Sequence, residues 1–100
     1  MPTLTIDGLA AEGTHVRTAN TDVLLIKAGS GPRTGLLACG YFSVETADRV
    51  GDAMAIVTGV KSFDDMLAAN VVAVSRAARE AGVTEGMTGR EALAHLASAT

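Results

Sequence analysis

The sequence has no tryptophan, one tyrosine, two phenylalanines, one cysteine and two prolines in 100 residues. Aromatic rings therefore cannot dominate a core or supply a platform on which nucleobases stack. The single cysteine, Cys39, excludes an internal disulfide and a cysteine-rich zinc site. Eight basic residues against eleven acidic ones give a net charge of -3, with neither sign gathered into a run. A strong positive field, and with it nucleic-acid binding, is disfavoured. No apolar tract approaches the roughly 20 residues that span a bilayer. The start, Met1-Pro2-Thr3-Leu4-Thr5, has neither the basic end nor the continuous apolar core of a signal peptide. A cytoplasmic protein with no membrane partner is the expectation.

What is present is small and aliphatic. The hydrophobic fraction of 48% is carried largely by 18 alanines and 10 valines. A chain of this length forms one domain, residues 1–100, and on folding removes somewhat more than about 60% of its unfolded surface from water. Small side chains let elements approach closely, but each buries little area at about 25 cal/mol per Å². Further burial in a homo-oligomer is therefore expected.

The first forty residues read as strands and turns. Thr3 to Ile6 is short and extended, and Asp7-Gly8 and Gly13 are turn signals. His15 to Ala19 alternates loosely. Val23-Leu24-Leu25-Ile26, within Asp22 to Lys27, is an unbroken apolar run, the pattern of a strand covered on both faces or shielded by a partner. Gly29-Ser30-Gly31-Pro32 is a turn, and Thr34 to Cys39 returns as the second arm of a hairpin. Ser43 then caps a short helix with Val44, Ala47 and Val50 at helical spacing and Gly51 as its stop. Ala53 to Thr58 is again a strand, so a strand-helix-strand crossover into a mixed sheet is predicted, with the sheet ending there.

The remainder reads as helical. Ser62 caps a helix with Asp64 and Asp65 in its first turn. Asn70 breaks the stretch into a short helix from Phe63 to Ala68 and a longer one from Val71 to Ala81, with Asn70 as the second cap. Val71, Val74, Ala78 and Ala81 form the stripe predicted to pack on the sheet. Gly82 supplies a left-handed terminus and Val83 its follow-on contact. The fold class is α/β: N-terminal antiparallel strands, one crossover, and C-terminal helices on a mixed sheet.

The strongest local signal is Gly86-Met87-Thr88-Gly89-Arg90-Glu91-Ala92-Leu93. Thr88 and Glu91 stand at the spacing of a capping box, so a helix starts at Thr88 with Ala92, Leu93 and Leu96 inward. Together with Gly59-Val60-Lys61-Ser62-Phe63-Asp64-Asp65-Met66-Leu67 and Cys39-Gly40-Tyr41-Phe42, this run resembles the YunC-like family, a small bacterial and archaeal domain of unknown function. The resemblance spans nearly the whole chain, most fully Gly59 to Leu96. Its departures are Asn70 and a slightly long loop from Gly29 to Arg33. It implies a compact, oligomeric α/β domain and offers no known catalytic residues to carry over.

Two places invite a functional reading. Cys39-Gly40 ends a strand before a helix, the edge of an α/β sheet where ligands bind. A nucleophilic Cys39 needs a base or cation to form its thiolate, and His15 or Lys27 on neighbouring strands are the available partners. The alternative is a buried, inert thiol, the commoner situation of free cysteine. The second place is the pair of helix starts. Backbone N–H groups near Lys61-Ser62 and near Gly86, Thr88, Gly89 and Arg90 could hold an anion, or could serve capping alone. The Gly29–Gly35 segment lacks the spacing and lysine of a phosphate loop. His15 and His95 have no ligand partners at metal spacing, so no metal and no cofactor is expected. Glu45, Asp48, Asp64 and Asp65 read as caps and solvated faces.

Three functions remain open: an oligomeric binding or interaction module, a thiol-dependent enzyme using Cys39, and an anion or metabolite binder built on helix N-termini. The absence of a recognisable catalytic constellation favours the first.

Overall fold

Adjacent parallel strands need a crossover, whereas antiparallel ones need only a turn, and this chain uses the crossover once. In the computed structural model, which describes residues 3–6, 9–28 and 35–98, the elements are β1 (Thr3–Ile6), β2 (Leu9–Arg17), β3 (Asp22–Ala28), β4 (Gly35–Cys39), α1 (Val44–Val50), β5 (Ala53–Val57), α2 (Phe63–Ala68), β6 (Ala73–Val74), α3 (Arg76–Glu80) and α4 (Gly89–Ser98). The strands form one sheet in chain order, β1-β2-β3-β4-β5-β6. Every neighbouring pair is antiparallel except β4 and β5, which are parallel and joined through α1. The expected mixed α/β architecture is what the chain adopts.

The alternation of side chains divides the sheet into two faces. Leu24, Ile26, Leu37, Cys39, Ala55 and Val57 lie on the face covered by Met66 and Leu67 of α2 and Ala92, Leu93 and Leu96 of α4. The other face is covered by the smaller α1, whose Ala47 packs with Ala38, Met54 and Ile56. The Val23–Ile26 run is thus not equally covered on its two sides. Leu24 and Ile26 are fully buried, while Val23 and Leu25 are half-buried: Leu25 packs against the α1-side cluster and Val23 against the α2–α4 cluster. Val16, beside Val23 in the β2–β3 register, is 52% exposed.

The local capping signals operate as read. Ser43 accepts from the Glu45 N–H, Ser62 accepts from the Asp65 N–H, and Gly51 and Gly82 adopt φ of 87° and 100°. Thr88 and Glu91 form the reciprocal box: the Thr88 hydroxyl accepts from the Glu91 N–H at 3.2 Å, and the Glu91 carboxylate accepts from the Thr88 N–H at 3.1 Å. Close approach is built on missing side chains. A Cβ on Gly35 would stand 2.6 Å from the Cβ of Leu96, and one on Gly89 would overlap the Met66 carbonyl oxygen.

Four expectations need correction. Gly13 does not turn the chain but lies inside β2, paired with Ile26. The sheet does not end at β5, since Ala73 and Val74 add β6 against Ile56 and Ala55. The helix expected from Val71 to Ala81 is only α3, Arg76–Glu80, capped by Ser75. Asn70 is not a cap: its backbone bridges to Thr88 and its side-chain amide donates to the Gly86 carbonyl at 2.8 Å. The β-branched Val71, Val72 and Val74 prefer an extended chain, and a sheet edge was there to pair with it. The turns expected at Asp7-Gly8 and Gly29–Pro32, and Thr34, lie outside the described residues.

Ser75 joins these pieces. It is fully buried, donates to the Asp52 carbonyl at 2.8 Å, and accepts from the N–H groups of Met54 at 2.9 Å and Ala78 at 3.3 Å. One hydroxyl thus caps α3 and clamps it to the start of β5.

Candidate functional site

β4 and β5 end side by side at Cys39 and Val57, so the segments that follow both leave the sheet at one edge. Because β3 runs antiparallel to β4, the turn between β2 and β3 reaches the same edge. These segments border an open cleft of ≈ 740 Å³. Arg17 to Asp22 form one wall, Cys39 lies at the base, and Gly40, Tyr41 and Thr58 to Lys61 form the opposite side. The carboxyl edge beside a parallel crossover is the place where α/β sheets receive ligands.

Thr18 builds the first wall. Its N–H donates to the Thr21 carbonyl at 2.9 Å, and its hydroxyl accepts from the N–H groups of Thr21 at 2.9 Å and Asn20 at 3.3 Å. Asp22, at the foot of this turn, carries the local charge pairing: its carboxylate meets His15 Nε2 at 2.8 Å and Arg17 Nε at 3.6 Å. His15 also presents its ring edge-on to Phe63 of α2, with centroids 6.1 Å apart.

Cys39 has a backbone environment. The β3–β4 pairing ends at Leu25 and Ala38, and at the next position Cys39 Sγ accepts the Leu24 N–H at 3.3 Å. Its Sγ lies 4.0 Å from the Asp22 carbonyl oxygen, and the residue is 5% exposed. His15 does not join it. His15 lies opposite Leu24, whose far neighbour is β4, so two strand spacings, about 9–10 Å, separate the histidine from Cys39. Lys27 is exposed and alternates with the buried Ile26 and Ala28, so it stands on the opposite sheet face. The three residues considered for thiol chemistry do not converge.

The residues considered for anion binding also separate. Gly40 and Lys61 line the cleft. Ser62 spends its hydroxyl on the Asp65 N–H at 3.1 Å. Gly86, Thr88, Gly89 and Arg90 lie toward the other end of α2, where the Gly89 N–H donates to the Ala69 carbonyl at 2.8 Å. There Gly86 turns with φ of 95°, Thr88 caps, Gly89 permits contact with Met66, and Arg90 is exposed. Glu91 is held ionised below the ordinary carboxylate range, first by the Thr88 N–H and then by its hydroxyl. Among the described residues no three His, Cys, Asp or Glu side chains gather as a metal-binding group, and no helix is long and apolar enough to cross a membrane. Arg17, Thr18, Asp22, Tyr41 and Thr58 are site residues that sequence reasoning did not single out.

Residues 38–96, more than half of the chain, match a family described as a domain of unknown function, DUF1805. The chain belongs to the DUF1805 family. A family of that description is what the Gly86–Leu93 and Gly59–Leu67 runs pointed to. The DUF1805 chain is also similar to a crystal structure of a protein of unknown function from Thermoplasma acidophilum. The likeness is 34% identity and a TM-score of 0.85, covering 95% of this chain and 89% of that one. No curated protein matches the chain. Within the cleft, the DUF1805 match takes in Cys39 to Tyr41 and Thr58 to Lys61, while the Arg17–Asp22 wall precedes it.

Proposed function

We propose that this DUF1805 domain is a binding module whose ligand site is the cleft at the shared end of β4 and β5. The observation that carries the reading is the cleft itself: ≈ 740 Å³ at a crossover edge, bounded by three chain segments with hydroxyl and charged side chains. That volume falls in the range of about 300–1,000 Å³ typical of small-molecule sites. Binding without turnover is favoured by the thiol's surroundings. Cys39 accepts the Leu24 N–H, and the imidazole of His15 is committed to Asp22.

Native mass spectrometry of the protein purified from its own cells, followed by a denatured spectrum, tests the reading. A non-covalent mass that disappears on denaturation is the expected result. Bare chains together with rapid alkylation of Cys39 by iodoacetamide in the native state would replace it with the thiol reading. A second reading, self-association, is favoured by the half-buried Leu25 and Leu36 near exposed Val16 on the sheet face that α1 leaves open. The same native spectrum gives the subunit count. A lone buried thiol with no cysteine to pair with also suits a cytoplasmic setting.

A further inference from the structure

We infer that the occupant of the cleft carries an anionic oxygen group, a carboxylate or a phosphate, received between Arg17 and Lys61; this rests on the cleft being the binding site. The chain as a whole is acidic, with a net charge of -3, yet the cleft is lined by two cations and one carboxylate. That carboxylate is already engaged. Asp22 meets both His15 and Arg17 and is 25% exposed, whereas the Arg17 side chain is 84% exposed. The carboxylate is thus turned into the hairpin while the guanidinium, at a loose 3.6 Å, remains available to a better-placed anion. An arginine fork matches a carboxylate or phosphate with two parallel hydrogen bonds.

Lys61 stands across the cleft. Among the described residues no carboxylate pairs with its ammonium, and the nearby Asp65 is occupied with the Lys61 backbone N–H at 3.0 Å. Thr58 and Tyr41, which line the same side, carry hydroxyls of the kind that donate to an anion. The cleft is much larger than one phosphate, so the anionic group belongs to a larger organic molecule, an organic acid or a phosphorylated metabolite. Its remaining body would lie against Tyr41 and Val60.

The test is a titration of the ¹⁵N-labelled protein, followed by amide NMR, with sodium phosphate, sodium acetate and neutral acetamide at constant ionic strength. Phosphate or acetate should shift the amides of Thr18–Asp22, Gly40 and Thr58–Lys61, and acetamide should not. Lys61→Gln should weaken the response about tenfold or more, the scale of one charge-assisted hydrogen bond. Lys27→Gln, on the opposite sheet face, should leave it unchanged. Equal shifts with acetamide and no effect of Lys61→Gln would overturn the anionic assignment and leave the cleft as a site for neutral ligands. Anion shifts confined to Thr88–Arg90 would also overturn it. Cleft amides that stay still with all three probes would do the same, and the native mass spectrum then decides separately whether the cleft holds any ligand.

Discussion

Ser75→Ala is expected to destabilise the domain far more than Ser62→Ala, although both remove a serine that caps a helix. Ser62 Oγ accepts one bond, from the Asp65 N–H at 3.1 Å, at an exposed helix start. Losing such a cap costs about 1 kcal/mol. Ser75 Oγ also caps α3, but it is fully buried and additionally accepts from the Met54 N–H at 2.9 Å and donates to the Asp52 carbonyl at 2.8 Å. An alanine there leaves the buried Met54 N–H without a partner, and a buried unsatisfied group costs about 1–3 kcal/mol. The total is about 3 kcal/mol, or a fall in Tm of about 15 °C against about 5 °C for Ser62→Ala in a domain of this size. The chain has no tryptophan, so urea and thermal unfolding are best followed by far-UV circular dichroism. Equal losses in the two variants would show that water replaces the hydroxyl and that Ser75 is only a cap.

Gly89→Ala, usually a stabilising change inside a helix, should cost about 3 kcal/mol, because the new methyl overlaps the Met66 carbonyl and α2 must move; unchanged urea stability would refute that close approach. Cys39→Ala removes the acceptor of the Leu24 N–H, so native-state hydrogen exchange at Leu24 should rise about tenfold or more, with Ile26 still protected. The Glu91 carboxyl is lowered in the folded state, so its stabilising contribution is present above about pH 4.3, the ordinary glutamate value, and is lost as the pH falls toward the folded one. Glu91→Gln should therefore flatten that part of the acid unfolding curve, and a curve parallel to that of the unaltered protein would count against the box.

Signals that act within a few residues were legible in the sequence. Ser43, Gly51, Ser62, Gly82 and the Thr88–Glu91 box each satisfy backbone groups of their own turn, so neighbouring residues suffice to read them. The reading failed where a distant partner decided the outcome. Val71, Val74 and Ala78 fit helical spacing, but Val72 and Ser75 donate to the Ile56 and Met54 carbonyls, and the chain there stays extended until Ser75. Gly13 resembles a turn residue only until Ile26 lies opposite it. The cleft was half visible. Cys39-Gly40 and Lys61 could be named from strand ends and helix starts, but Arg17, Asp22 and Thr58 acquire meaning only when the register brings the hairpin turn to the same edge. Thr18-Ala19-Asn20-Thr21 between two strands was the one available clue to that wall.

The two sides of the cleft also differ in when they can form. The hairpin of β2 and β3 closes over the short Thr18–Thr21 turn, a contact between near neighbours in sequence. The Thr58–Lys61 side is held in place only after β5 has returned through α1 to lie along β4, a non-local pairing that folding reaches more slowly. A molecule spanning Arg17 and Lys61 therefore fastens a local contact to a long-range one, and it recognises only chains that have completed the crossover. Occupancy of the cleft would be a readout of finished folding, and its ligand would stabilise the completed fold by mass action.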